Sequence, residues 1–389
     1  MSSAVEKLSA DPPVQGWTAP GFESVLDVFI ANFTEDVEVG ASFCAIRDGD
    51  VVVDLWGGHA DPEQTEPWQR DSLVNVYSTT KGIAALAFSL LVQDGLISYD
   101  DPVRNYWPEL KAGQGGLTVG QLLAHQGGLC GVSEPISVAD LYDWSAMIQR
   151  LEHQEPFWPP GTAAGYHAVV WGYLPGELCL RLTGESLGQL LARRLTKPSA
   201  ADCYIGLPDD QAHRVVPMIG PNRARRQPDP SDFAGIEMPE LYPVALQNPL
   251  IRPFRDASSP EWTRAEIASS NGHANAKGIA TVYSLAAQAG SQASPFQSST
   301  IDALSAQLVG LEQDLVLGRG IRRGAGVILN TDGMFGAGNS FGHSGAGGST
   351  GFADPDAKLA VGYAMNQMQT TLDGDSRAGR LIGALYDAL

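Results

Sequence analysis

Apolar and polar residues alternate along residues 41–47 and again along 51–56, on either side of Asp48-Gly49-Asp50. Period-two alternation around a glycine-bearing turn predicts a β-hairpin. A second group of strand-like runs lies near the other end of the chain, at 326–329, 340–344, 349–353 and 359–365. The last two are joined by Asp354-Pro355-Asp356, residue types that favour a turn. A helical pattern over 376–389 closes the chain. Strands from both ends predict one antiparallel sheet assembled from N- and C-terminal segments.

The middle of the chain follows the helical period instead. Residues 82–93 are apolar at helical spacing and stop at Asp94-Gly95, a C-cap signal. Residues 118–125 carry Val119, Leu122 and Leu123 and end at Gly127-Gly128. Further helices are predicted over 141–151, 169–183 and 186–195. Residues 217–262 are rich in Pro, Asp and Arg without periodicity, the pattern of a functional loop or lid. The expected organisation is a discontinuous sheet-containing α/β domain, 1–108 plus 263–389, with an inserted helical domain, 109–262, that includes the Pro-rich segment.

Composition narrows the function. The chain has 389 residues, 43% apolar and 18% charged, enough for two domains with a sizeable core. Its formal charge of −19, from 25 basic and 44 acidic residues, repels phosphate backbones and anionic membranes. No nucleic acid and no membrane partner is expected, and the oligomeric state stays open. The start, Met1-Ser2-Ser3-Ala4-Val5-Glu6-Lys7, does not read as a signal peptide, and no apolar run is long enough to span a bilayer. Four scattered cysteines, Cys44, Cys130, Cys179 and Cys203, fit a reducing, cytoplasmic setting. Seven histidines without ligand spacing predict no metal, and nothing calls for a cofactor.

The candidate chemistry begins at Ser78-Thr79-Thr80-Lys81. Residues three apart on a helix share a face, so the serine hydroxyl and the lysine amine come within hydrogen-bond reach. A helix start also offers free backbone N–H groups that can receive an oxyanion. Lysine becomes a base only if its pKa falls, which an apolar flank such as Ile83-Ala84-Ala85-Leu86 favours. Of six lysines, Lys81 alone has a serine three residues upstream. The same residues would also suit a serine cap with a solvated lysine. G-x-S-x-G occurs around Ser186, Ser340 and Ser349, but a nucleophile elbow needs a preceding strand and a later histidine, and His343 is the last in the chain. His125 and His273 read as structural.

Ser78-Thr79-Thr80-Lys81, then Leu122-Leu123-Ala124-His125-Gln126-Gly127-Gly128-Leu129, Pro159-Pro160-Gly161 with Tyr166-His167-Ala168, and Gly342-His343-Ser344-Gly345-Ala346-Gly347-Gly348, resemble in order the motifs of the β-lactamase-related serine hydrolases. Within them the chain is most similar to the family VIII carboxylesterases, relatives of class C β-lactamases and penicillin-binding proteins. The resemblance implies a β-lactamase/transpeptidase-like fold and a serine esterase acting on small or short-acyl esters through an acyl-enzyme. It also implies roles: Ser78 as nucleophile, Lys81 as its activator, and Tyr166, first in the Y-x-N motif, as proton carrier, with a phenolate beside an ammonium a reasonable pairing. The backbone N–H groups of Ser78 and Ala346 would form the oxyanion hole; His343, Ser344, Gly345 and Ala168 would line the substrate. Two positions depart from the pattern. Ala168 replaces the Y-x-N asparagine and His343 the K-T-G lysine, which favours ester over β-lactam. A same-fold acyltransferase, β-lactamase or D-aminopeptidase, and a penicillin-binding-type sensor or binding module, remain the alternatives.

Overall fold

The hairpin forms, one to two residues longer at most ends than the alternation predicts. In the computed structural model, which describes residues 6–10, 12–35, 38–221, 238–369 and 376–389, Asp48 and Gly49 both have positive φ, 50° and 87°. Such a two-residue turn matches the twist of the strands it joins. The strands are β1 Glu6–Ala10, β2 Pro13–Thr18, β3 Gly40–Arg47, β4 Asp50–Gly58, β5 Val74–Asn75, β6 Cys203–Tyr204, β7 His273–Ala274, β8 Ile328–Leu329, β9 Phe341–Ser344, β10 Thr350–Asp354 and β11 Leu359–Met365.

Eight of them make one antiparallel sheet in the order β1-β2-β4-β3-β11-β10-β9-β8. The two ends of the chain meet at its centre, where β3 pairs β11 from Arg47 opposite Leu359 to Ala41 opposite Met365. Every residue of β11 is buried, and so is all of β3 except Arg47, because helices cover both faces. Helix α1, Glu23–Thr34, packs with the C-terminal helix Ser376–Asp387, and the helix Ala276–Ala287 lies across β3, β10 and β11. The fold is the β-lactamase/transpeptidase-like antiparallel sheet with flanking helices.

Between the face carrying Ala276–Ala287 and the middle of the chain runs α2, Thr79–Gln93, buried continuously from Thr79 to Leu91. A helix apolar all round has to be a core helix. Asp94 caps it and Gly95, at φ 72°, ends it as the sequence indicates. The expected helices of the middle appear with shifted bounds. Thr118 caps Val119–Leu123, and Ser186 caps Leu187–Leu191. Residues 141–151 are not one helix. A 3₁₀ turn, Val138–Tyr142, precedes the helix Trp144–His153, because Asp143 leaves helical geometry to accept the Ala146 N–H.

Of the Pro-rich segment, residues 222–237 lie outside the described residues. The rest forms short helices, Tyr242–Leu246, Pro253–Asp256 and Pro260–Arg264, each with a proline at or near its first position. Helices α1, Ala276–Ala287 and Ser298–Ser305 and strands β1 and β2 were not expected. A second small sheet, β5-β7-β6, joins segments from three distant parts of the chain. No described helix is long and apolar enough to cross a membrane.

Gly362 makes the close contact of helix and sheet possible, since a Cβ there would lie 2.1 Å from the Ala276 carbonyl oxygen and 2.8 Å from the Ala280 nitrogen. Gly362→Ala is expected to cost about 1–3 kcal/mol of stability. Urea unfolding checks it, and an unchanged midpoint would show that this packing can relax freely.

Candidate active site

The short pairing of β5 with β7 delivers the chain to the start of α2. Val76 N–H bonds the Gly272 carbonyl, Gly272 N–H bonds Thr80 Oγ1, and Tyr77 is forced to φ 44°. A bulky residue in the left-handed region is strained and needs its surroundings to hold it. Ser78 follows as the residue capping α2, with helical dihedrals and no side-chain cap bond, so its hydroxyl is free for other partners.

Those partners are the two residues singled out in the sequence. Ser78 Oγ lies 3.1 Å from Lys81 Nζ and accepts from the Tyr166 hydroxyl at 2.7 Å. Lys81 is fully buried, not solvated, and its amine also donates to the carbonyls of Ala168 at 2.7 Å and Ser269 at 3.0 Å. Burial alone pushes its pKa well below the ordinary lysine value. A neutral amine has two N–H groups for the two carbonyls and one lone pair, which then faces the Ser78 hydroxyl. Burial raises Tyr166 to about 12, partly offset by its bond to Ser78. Desolvation thus works against a charge on either group, and so against the phenolate–ammonium pairing.

Strands β9 and β10 bring the third motif alongside. Gly345 N–H bonds the Ser349 carbonyl and Gly348 N–H the Gly345 carbonyl, which closes a turn with Ala346 at its exposed tip. Gly345 must be glycine, since a Cβ would lie 2.2 Å from the Val76 carbonyl oxygen. Ser349 Oγ donates to that same carbonyl at 2.8 Å and touches Thr79 Oγ1 at 3.0 Å, so the turn is fastened to the segment that carries Ser78. Among the described residues, neither the Ser78 nor the Ala346 N–H has a backbone acceptor.

The neighbouring positions fall around this group. Ala168 is buried and contributes its carbonyl. The His343 ring stands 6.2 Å from that of Tyr166, with Nδ1 bonded to the Ser344 carbonyl at 2.7 Å and Nε2 without a partner among the described residues. Burial above all pushes its pKa down to about 3, so it is neutral near pH 7. Ser344 Oγ pairs with Thr350 Oγ1 across the strands. The G-x-S-x-G serines are structural: Ser186 caps a helix, Ser340 donates to the Ala337 carbonyl, and Ser349 anchors the turn. His273 is buried in β7 with Nδ1 on the Asn271 carbonyl.

Comparison of the whole chain with known proteins places it in a family. The beta-lactamase family model matches residues 29–385. The chain belongs to the beta-lactamase family. It is 31% identical over 385 residues to the esterase/beta-lactamase LipL of Mycobacterium tuberculosis, covering 94% of this chain and 86% of that protein. Among solved structures, a family VIII carboxylesterase superposes with a TM-score of 0.89 at 43% identity, covering 97% of this chain and all of the other. A penicillin-binding protein homolog from Caulobacter crescentus gives 0.86 at 37% identity, with the same coverage.

Within this family frame, other residues around the site support it without reaching Ser78. His125, in the left-handed region at φ 67°, accepts the His167 N–H on Nδ1, while His167 Nε2 accepts the Leu129 N–H. Burial lowers both pKa values, that of His167 to about 4, so the two rings brace the Tyr166 loop as neutral groups. Asp314 is fully buried and paired with Arg323 at 2.7 Å, and its other oxygen accepts the N–H groups of Tyr166, Val316 and Leu317. It stands in an irregular segment that no motif marks. Asp314→Asn is expected to destabilise the protein by about 3–5 kcal/mol, because Arg323 would be left as a buried charge without its partner. It should also lower kcat as Tyr166 loosens. Thermal melting together with kinetics checks both, and wild-type stability would remove Asp314 from this role.

Proposed function

We propose that the protein hydrolyses small or short-acyl carboxylic esters by acyl transfer through Ser78 to water. The observation that carries this reading is Ser78 Oγ held between the Lys81 amine and the Tyr166 hydroxyl, at 3.1 and 2.7 Å. Oγ attacks the ester carbonyl carbon while its proton passes to the Lys81 lone pair. The carbonyl oxygen, now an oxyanion, is received by the N–H groups of Ser78 and Ala346, the first of them at a helix N-terminus. On collapse the alkoxide leaves with a proton from Tyr166, which the neighbouring Lys81 ammonium, 4.8 Å from the centre of the phenol ring, replaces. Water then attacks the acyl-enzyme by the same path in reverse, and Ser78 recovers its proton.

Likeness to the family VIII carboxylesterase supports ester as the substrate class. Ala168 has no side-chain amide, and a neutral His343 offers no permanent cation where a β-lactam carboxylate would need one. The substrate would enter between the sheet-bearing part, 1–108 with 263–389, and the inserted part, 109–262. Four free, buried cysteines suit the reducing cytoplasm in which we place the protein.

A fluorophosphonate probe is expected to label Ser78, and Ser78→Ala to abolish turnover. Lys81→Ala and Tyr166→Phe should each lower acylation by on the order of 10²–10⁴-fold. Because the neutral amine is the base, kcat/KM should rise with pH through a limb well below the ordinary lysine pKa. It should not fall again until Tyr166 ionises, near 12. Label on another serine, or a descending limb at neutral pH, would refute the assignment.

Specificity gives a separate test. p-Nitrophenyl butyrate should exceed a chromogenic cephalosporin in kcat/KM by at least ~100-fold, about 2.7 kcal/mol of transition-state binding. The double naming of the mycobacterial relative makes lactam turnover the alternative, and comparable values would establish it.

A further inference from the structure

The turn that carries Ala346 is fastened on one side by Ser349. On its other side it meets a charge cluster that the reaction itself does not use. Arg377, in the first turn of the C-terminal helix, is completely buried, as is the side chain of Glu38 just before β3. One guanidinium nitrogen donates to Glu38 Oε1 and to the Gln367 carbonyl, each at 2.9 Å. The other donates to the Gly347 carbonyl at 2.8 Å, which also accepts the Gln369 N–H at 3.1 Å. Tyr363, in the middle of β11, donates its hydroxyl to the second Glu38 oxygen, and its ring lies under the guanidinium at 6.0 Å.

A buried ion pair is a poor way to gain stability, since desolvating two charges offsets most of their attraction. What it supplies is direction. A planar fork with fixed donors orients its acceptors more tightly than packing can. Here one acceptor is the carbonyl of Gly347. The Ala346 N–H lies two peptide planes before it in the same tight turn, and the link between them runs through Gly347 at φ 89°, a residue that would otherwise be free to swing.

We propose that Arg377 is a positioning residue for the reaction: held by Glu38 and Tyr363, it clamps the Gly347 carbonyl and so fixes where the Ala346 N–H points. The inference rests on the reading of Ala346 as an oxyanion donor to a substrate attacked by Ser78. The C-terminal helix then forms part of the catalytic apparatus although it touches no substrate. Losing a whole oxyanion donor costs about 10²–10³-fold in kcat, so misdirecting one should cost a fraction of that.

Arg377→Lys keeps a cation for Glu38 but replaces the fork by a single point donor. It should lower kcat by ~10-fold or more, with KM within about twofold. The deciding readout is the affinity of an alkylboronic acid. In that adduct a boron–Oγ bond forms, the Ser78 proton passes to Lys81, and a boron hydroxyl occupies the oxyanion position. Affinity should fall by the same factor as kcat. If Arg377→Lys does not fold, the pair Glu38→Gln with Arg377→Met removes both charges and carries the same expectation. A lower melting temperature with kcat and boronate affinity unchanged would overturn the proposal and leave the cluster merely structural. Wild-type protein that forms no boronate adduct on Ser78 would instead overturn the underlying assignment of the nucleophile, and the proposal with it.

Discussion

An amine buried with no carboxylate partner among the described residues is the constraint on which this structure turns. Lys81 is wholly enclosed, and the groups that meet it are a hydroxyl and two carbonyl oxygens. An ammonium in that setting forfeits several kcal/mol of hydration with no carboxylate to replace it, so the neutral form gains. Keeping it there requires α2 to be buried around its whole circumference. Both carbonyls come from segments far away in sequence, the loop through Ala168 and the stretch before β7. The small sheet, the strained Tyr77 and the Gly272–Thr80 contact all serve to bring those segments against the start of α2.

The two groups proposed to work with Lys81 sit on chain that has little regular structure of its own. Tyr166 lies in a loop and Ala346 at the tip of a turn. Each piece is tied down by a buried carboxylate–guanidinium pair, Asp314–Arg323 behind the first and Glu38–Arg377 behind the second. Backbone accounting gives the physical reason. Loops bring polar groups that must be satisfied when buried, and one Asp314 oxygen satisfies three N–H groups at once. Charge here orders irregular chain around a site that must itself stay uncharged at Lys81.

The sheet was legible from both ends of the sequence because alternation and turn residues report on local geometry. The register of β3 against β11 could be inferred as an association but not located. Ser78 and Lys81 were legible for the same local reason, a three-residue spacing on one helix. Tyr166 and Ala346 came from resemblance to known motifs, since nothing in their own neighbourhoods marks them. Asp314, Arg377 and Glu38 were invisible. Each acts through a partner between 9 and 339 residues away, and a lone charged residue in a sequence reads as surface until the fold shows it buried. Strands β1 and β2 were not legible because Pro13, at the first position of β2, and Gly16 break the alternation. Burial also weighs against the phenolate reading, because pairing two charges looks favourable until the extent of burial is known.

The two departures from the family's motifs act differently at the level of atoms. At position 168 the contact with Lys81 is made by the backbone carbonyl, which any residue supplies. Replacing the motif's asparagine by alanine therefore leaves the amine's environment intact while removing a side-chain amide from the cleft. At position 343 the imidazole is buried, neutral and bonded to the Ser344 carbonyl, so it stays clear of the proton path between Ser78, Lys81 and Tyr166. Both changes remove groups that would recognise a lactam and spare those that move protons. Chemistry held by backbone and burial, with recognition held by side chains, lets one scaffold exchange substrates without rebuilding its catalytic centre.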